Sequence, residues 1–84
     1  MPWKISWSNE AIKELSKLDK KEAQRITRKL EQASENPHYF FSRLVGREDY
    51  KLRISDYRAI VLLLYSEKTI FVENIGHRKN IYKN

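Results

Sequence analysis

The sequence predicts an α+β fold: a small antiparallel four-stranded sheet with an N-terminal helix hairpin packed on one face. Apolar residues recur at the 3.6-residue helical period as far as Pro37, and at the two-residue strand period after it. Residues that open helices stand where each helical stripe begins. Two polar pairs, Ser55-Asp56 and Glu67-Lys68, punctuate the later strands as turns.

Trp3, Ile5 and Trp7 alternate with Lys4 and Ser6, which predicts a half-buried strand over 3–7. Ser8 or Asn9 can cap a helix over 9–18 that carries Ala11, Ile12, Leu15 and Leu18 on one side. Asp19, with Glu22 three residues on, resembles a capping box opening a second helix over 20–35. Its stripe is Ala23, Ile26, Leu30 and Ala33, and Asn36-Pro37 ends it. The Lys and Arg on the outer face of this hairpin read as ordinary solvated surface. Residues 38–46 are less regular, with a turn at Gly46. Strands follow over 48–54, 57–65 and 69–76, the middle one nearly continuous in apolar and β-branched residues, as for burial on both faces. Nothing repeats, and no linker divides the chain, so residues 1–84 are expected to form a single domain.

Composition narrows the chemistry. Seventeen Lys and Arg against eleven Asp and Glu give a net charge of +6, which favours polyanionic partners through counterion release and steering. Cysteine is absent, and His38 and His77 are too far apart in sequence to suggest a metal site. No metal or cofactor is therefore expected. No stretch approaches the length of a membrane span, and the first residues lack the apolar core of a signal peptide, so a cytoplasmic protein is the default expectation.

Two-residue hairpin loops at 55–56 and 67–68 would set Arg53 opposite Arg58, and Arg58 opposite His77. Alternation then gathers Lys51, Arg53, Arg58 and His77 on the face away from the helices. Ile60, Leu62, Leu64, Phe71 and Ile75 fall on that open face too, a surface suited to a docking partner. Like charges directly opposite one another destabilise a sheet. Concentrating them implies a bound anion, or else edge charges that discourage aggregation. Strict alternation sends Arg78 to the helix side, unless a break at Gly76 returns it to the cluster. Arginine suits the phosphate charge of an RNA-cleavage transition state through forked hydrogen bonds. Tyr82, four residues after Arg78, would point the same way on a helical turn and could stack on a base.

The run Asp49-Tyr50-Lys51-Leu52-Arg53-Ile54-Ser55-Asp56-Tyr57-Arg58, then Ile75-Gly76-His77-Arg78-Lys79 and Tyr82, resembles the RelE branch of the RelE/ParE toxins. The resemblance covers essentially the whole chain. It implies a ribosome-dependent endoribonuclease of a type II toxin–antitoxin system, cutting mRNA in the ribosomal A site by attack of a 2′-hydroxyl, with a RelB-like antitoxin as partner. By position, Lys51, Arg58, Arg78 and Tyr82 match the family's catalytic residues. Arg58 and Arg78 would stabilise phosphate charge, and Tyr82, supported by Lys51, would activate the hydroxyl. Arg53, His77 and Lys79 would contact RNA. Asp49 departs from the pattern, standing where some members carry a further lysine. ParE-type members share the fold and inhibit DNA gyrase by binding, without cutting RNA. Fold alone does not separate the two; the retained Arg58, Arg78 and Tyr82 favour the ribonuclease.

Overall fold

The structure, a computed structural model, describes residues 2–77. Five strands and three helices follow one another as β1 (Lys4–Trp7), α1 (Asn9–Lys17), α2 (Lys20–Ala33), α3 (Pro37–Phe40), β2 (Ser42–Arg43), β3 (Tyr50–Ile54), β4 (Tyr57–Leu64) and β5 (Thr69–His77). The α+β class, the helix hairpin and the central meander are those expected. The sheet has five strands rather than four and is mixed rather than antiparallel.

Capping sets both long helices. The Ser8 hydroxyl accepts the Ala11 N–H at 2.9 Å, and the Asp19 carboxylate accepts the Glu22 N–H at 2.9 Å. Each satisfies a backbone donor that the first helical turn would leave without a partner. Ala11, Ile26, Leu30 and Ala33 are fully buried against the sheet, but Ile12 is 52% exposed and lies off the packed stripe. After α2 the chain does not simply break. Pro37 takes the first position of the one-turn α3, where its missing N–H costs nothing.

The strand order is β1-β5-β4-β3-β2. β3, β4 and β5 form the antiparallel meander, β2 adds two residues to one edge, and β1 pairs in parallel with β5 at the other. The Ser8 hydroxyl ties that second edge by donating to the Glu73 carbonyl at 2.7 Å. Leu52, Ile54, Ala59, Val61, Leu63, Ile70, Val72 and Ile75 bury the helix-facing side.

Two details shift the register of the last hairpin. The β4–β5 connection is a 3₁₀ turn over Tyr65–Glu67 followed by Lys68 in the left-handed region (φ 47°), so Leu64 pairs with Thr69. Further along, Val61 pairs with Val72 but Ile60 with Asn74, so Glu73 is an extra, bulged residue. The 55–56 turn is as expected: Ile54 pairs with Tyr57 across a two-residue loop with Ser55 at φ 57°.

Candidate nucleic-acid interface

Arg53 and Arg58 are directly paired across β3 and β4, as the 55–56 turn requires. Lys51, two residues before Arg53, pairs with Ile60 and shares their face. On its other side Arg58 pairs with Gly76, which contributes no side chain. Cβ atoms of directly opposite residues lie about 5 Å apart, so the two guanidinium stems leave the sheet side by side. Arg58 is half-buried in the central strand, whereas Arg53 is exposed.

His77 does not join this group. The bulge at Glu73 and the longer turn place it opposite Tyr57, and the two rings meet edge to face at 5.6 Å on the helix side of the sheet. Ile75 moves with it, pairing with Ala59 and packing into the core at 2% exposure. Ile60 is also buried, so of the five residues expected to form an open apolar face only Leu62, Leu64 and Phe71 remain half-buried on it. Arg78, Lys79 and Tyr82 lie outside the described residues.

A groove of about 650 Å³ runs beside the arginine pair, lined by Lys29, Tyr39, Phe40, Ser42, Lys51, Leu52, Arg53 and Arg58. It exists because β2 covers only the Tyr50–Lys51 portion of β3 and leaves the rest of that edge without a neighbouring strand. A second groove of about 610 Å³ adjoins it, sharing Lys29 and Arg53 and adding Lys21, Arg25 and Arg28 of α2. The exposed cations of α2 therefore border the sheet site through Lys29 and Arg53. Sequence reading missed Lys29, Tyr39 and Phe40. Their signal was an aromatic run, His38-Tyr39-Phe40-Phe41, in a stretch read as irregular.

An acid pair that the sequence did not announce joins β5 to the residue before β3, with Arg47 beside it. Burial, reinforced by the facing Asp49 carboxyl, pushes the Glu73 carboxyl up to about 7. Asp49 is held below its ordinary range, chiefly by its interaction with Glu73 and then by Arg47, whose Nε lies 3.1 Å from its Oδ1. His38, in contrast, is structural: its ring stacks on Tyr65 at 5.6 Å and meets Trp3 edge to face at 6.4 Å. Among the described residues no group of three or more His, Cys, Asp or Glu side chains is placed to hold a metal ion. Nor is any of their helices long and apolar enough to cross a membrane.

Paired arginines on a five-stranded mixed sheet, beside a lysine-bearing helix and an aromatic turn, mark the chain as a small basic α+β protein. Residues 5–82 match the family described as ParE toxin of type II toxin–antitoxin system, parDE, and the chain belongs to the RelE/ParE toxins. A RelE-like toxin protein of Escherichia coli is 32% identical over 82 residues, which span 94% of this chain and 86% of that one. The toxin–antitoxin complex RelBE2 from Mycobacterium tuberculosis contains a similar fold, with a TM-score of 0.83 at 17% identity over 93% of this chain and 100% of that one. A mutant of the E. coli toxin RelE in the free state gives 0.81 at 22% identity over 96% and 88%.

Proposed function

We propose that this toxin is a ribosome-dependent endoribonuclease that cuts mRNA in the A site, held in check by a RelB-like antitoxin. The observation that carries the reading is the direct pairing of Arg53 with Arg58 beside Lys51, in a groove that no acidic residue among the described residues lines. In the reaction, the 2′-oxygen of one nucleotide attacks the adjacent phosphorus and the bond from phosphorus to the 5′-oxygen breaks. The products are a 2′,3′-cyclic phosphate and a 5′-hydroxyl. One proton leaves the 2′-hydroxyl and one reaches the 5′-oxygen. Arg58, fixed in the central strand, stabilises the extra phosphorane charge, an interaction that strengthens in the transition state. By family position, Arg78 adds to that charge stabilisation and is the candidate donor to the 5′-oxygen. Tyr82 is the candidate to activate the 2′-hydroxyl, with Lys51 supporting it, and Lys79 contacts RNA. Among the described residues the groove holds no histidine or carboxylate to serve as a self-sufficient general base, so positioning by the ribosome supplies much of the rate. The antitoxin assignment is supported by the solved toxin–antitoxin complex of the same fold.

The test is purified ribosomes programmed with mRNA, with the new 5′ ends mapped. The parent should cut ribosome-bound mRNA and leave naked RNA largely intact. Arg58→Ala should slow single-turnover cleavage about a hundredfold with ribosome binding preserved. The matching family is described as ParE toxin, and the resemblance allows a gyrase-inhibiting member, so supercoiling by DNA gyrase is assayed in parallel. Inhibition of gyrase by parent and Arg58→Ala alike, with no mRNA cleavage, would establish the binding-only reading instead.

A further inference from the structure

The groove beside the arginine pair is not merely cationic. Its wall away from the sheet is α3, whose Tyr39 ring is 78% exposed while the residues around it are fixed. Pro37 and Phe41, two residues to either side, are both buried, and the Tyr39 N–H donates to the Asn36 carbonyl at 3.0 Å. Phe40 meets Tyr39 edge to face at 5.0 Å and an interplanar angle of 83°, and the Lys29 ammonium sits 5.1 Å from the centre of the Phe40 ring. Tyr39 is thus a flat ring held from behind by a second ring, which is itself braced by a cation. A single exposed aromatic is ordinary on any protein surface. Here it stands at the mouth of a groove whose other lining includes Lys51, Arg53 and Arg58, with no acid among the described residues.

From this arrangement we infer that Tyr39 is a base-stacking subsite for single-stranded RNA whose phosphates lie along Lys51, Arg53 and Arg58. The inference rests on the ribonuclease reading and adds to it a contact that no motif in the chain marks. A strand needs two things to bind in this way: cations spaced along its backbone and a π-face for an unstacked base. The cations come from β3 and β4, and the π-face from α3. Duplex nucleic acid would present only phosphates, because its bases are already stacked. Lys29, beneath Phe40 and shared with the neighbouring groove, marks the direction in which the backbone continues onto α2.

The test uses the whole protein, fluorescence anisotropy, and two probes of equal length: an oligouridylate and an abasic ribose-phosphate strand. Tyr39→Ala should weaken oligouridylate binding about tenfold, the usual scale of one stacked base, and leave the abasic strand unaffected. Tyr39→Phe should bind as the parent does. Arg53→Ala should weaken both probes alike. Tyr39→Ala binding oligouridylate as well as the parent does, or losing affinity equally for both probes, would overturn the stacking role. So would a parent that binds neither probe. A Tyr39→Ala effect confined to binding of an acidic protein partner would reassign the ring to a protein interface. The parent's cleavage of ribosome-bound mRNA is read separately. If cleavage is absent while Tyr39 still distinguishes base from abasic strand, the ribonuclease reading falls and the subsite stands.

Discussion

Glu73 keeps a proton near neutrality because two influences act in the same direction. Burial raises the cost of its charged form, and the facing Asp49 carboxylate adds repulsion and accepts the shared proton. Folding therefore raises the pKa of Glu73 from an ordinary 4.5 to about 7. The folded state holds more protons than the unfolded one between those values, so this carboxyl makes stability fall as pH rises through that window. Asp49 works in the opposite sense: its lowered value contributes stability that is lost only as pH drops below its ordinary 3.8. Around neutrality Glu73 decides the slope. Glu73→Gln, which mimics the protonated acid, should flatten denaturation midpoints measured between about pH 5 and about pH 8, with its gain over the parent at the alkaline end. An unchanged slope in the Gln variant would locate the titrating group elsewhere. None of this was legible from residue types, because Glu73 and Asp49 are far apart in sequence and meet only across an irregular strand.

That irregularity is the main lesson at the level of elements. Alternation along β5 was expected to hold as far as a break at Gly76, yet the break comes earlier: its core residues are Ile70, Val72 and Ile75, a step of two and then a step of three. The step of three, with Glu73-Asn74 as consecutive polar residues inside it, is the signature of a bulge and was readable from the sequence. Missing it moved His77 and Ile75 to the wrong face. The β3–β4 hairpin was read correctly, because a two-residue turn fixes its register and hence the Arg53–Arg58 pair. Capping was equally legible, since the Ser8 and Asp19 side chains act within three residues of themselves. Asp19→Ala should lower stability by about 1 kcal/mol in urea denaturation without altering the denaturant slope. At Gly46 the φ of 73° decides the outcome, because an added Cβ would meet nothing within 4 Å. Gly46→Ala should also cost about 1 kcal/mol, from backbone strain alone.

At the scale of the whole molecule, the fold class was accessible and the sheet's edges were not. A change in hydrophobic period shows where helices give way to strands, but it carries no information about which strand lies beside which. β1 reads as a strand from Trp3, Ile5 and Trp7, yet its parallel partner is at the far end of the chain. β2 is two residues long, too short to leave a pattern, and it is β2's shortness that uncovers the β3 edge and opens the groove. The candidate site was half visible for the same reason. Its cations lie on a locally determined hairpin, while Tyr39 and Lys29 arrive from elements whose placement depends on the finished fold.

The parallel pairing of β1 with β5 also sets an order of events. The Ser8–Glu73 contact spans 65 residues, and bringing such distant segments together costs loop entropy before any contact repays it. The β3–β4 hairpin, closed by two residues, carries no such penalty and is the natural place for structure to begin. Substitutions there, such as Ile54→Val, should slow folding in stopped-flow measurements. Ile5→Val in β1 should leave the folding rate nearly unchanged and speed unfolding instead. While a chain is being made, the arginine pair can be in register before the β1 edge has a partner, yet Ile70, Val72 and Ile75 must arrive before the core exists. A toxin assembled in this sequence has its arginine pair early and a rigid scaffold for it only once β5 is in place.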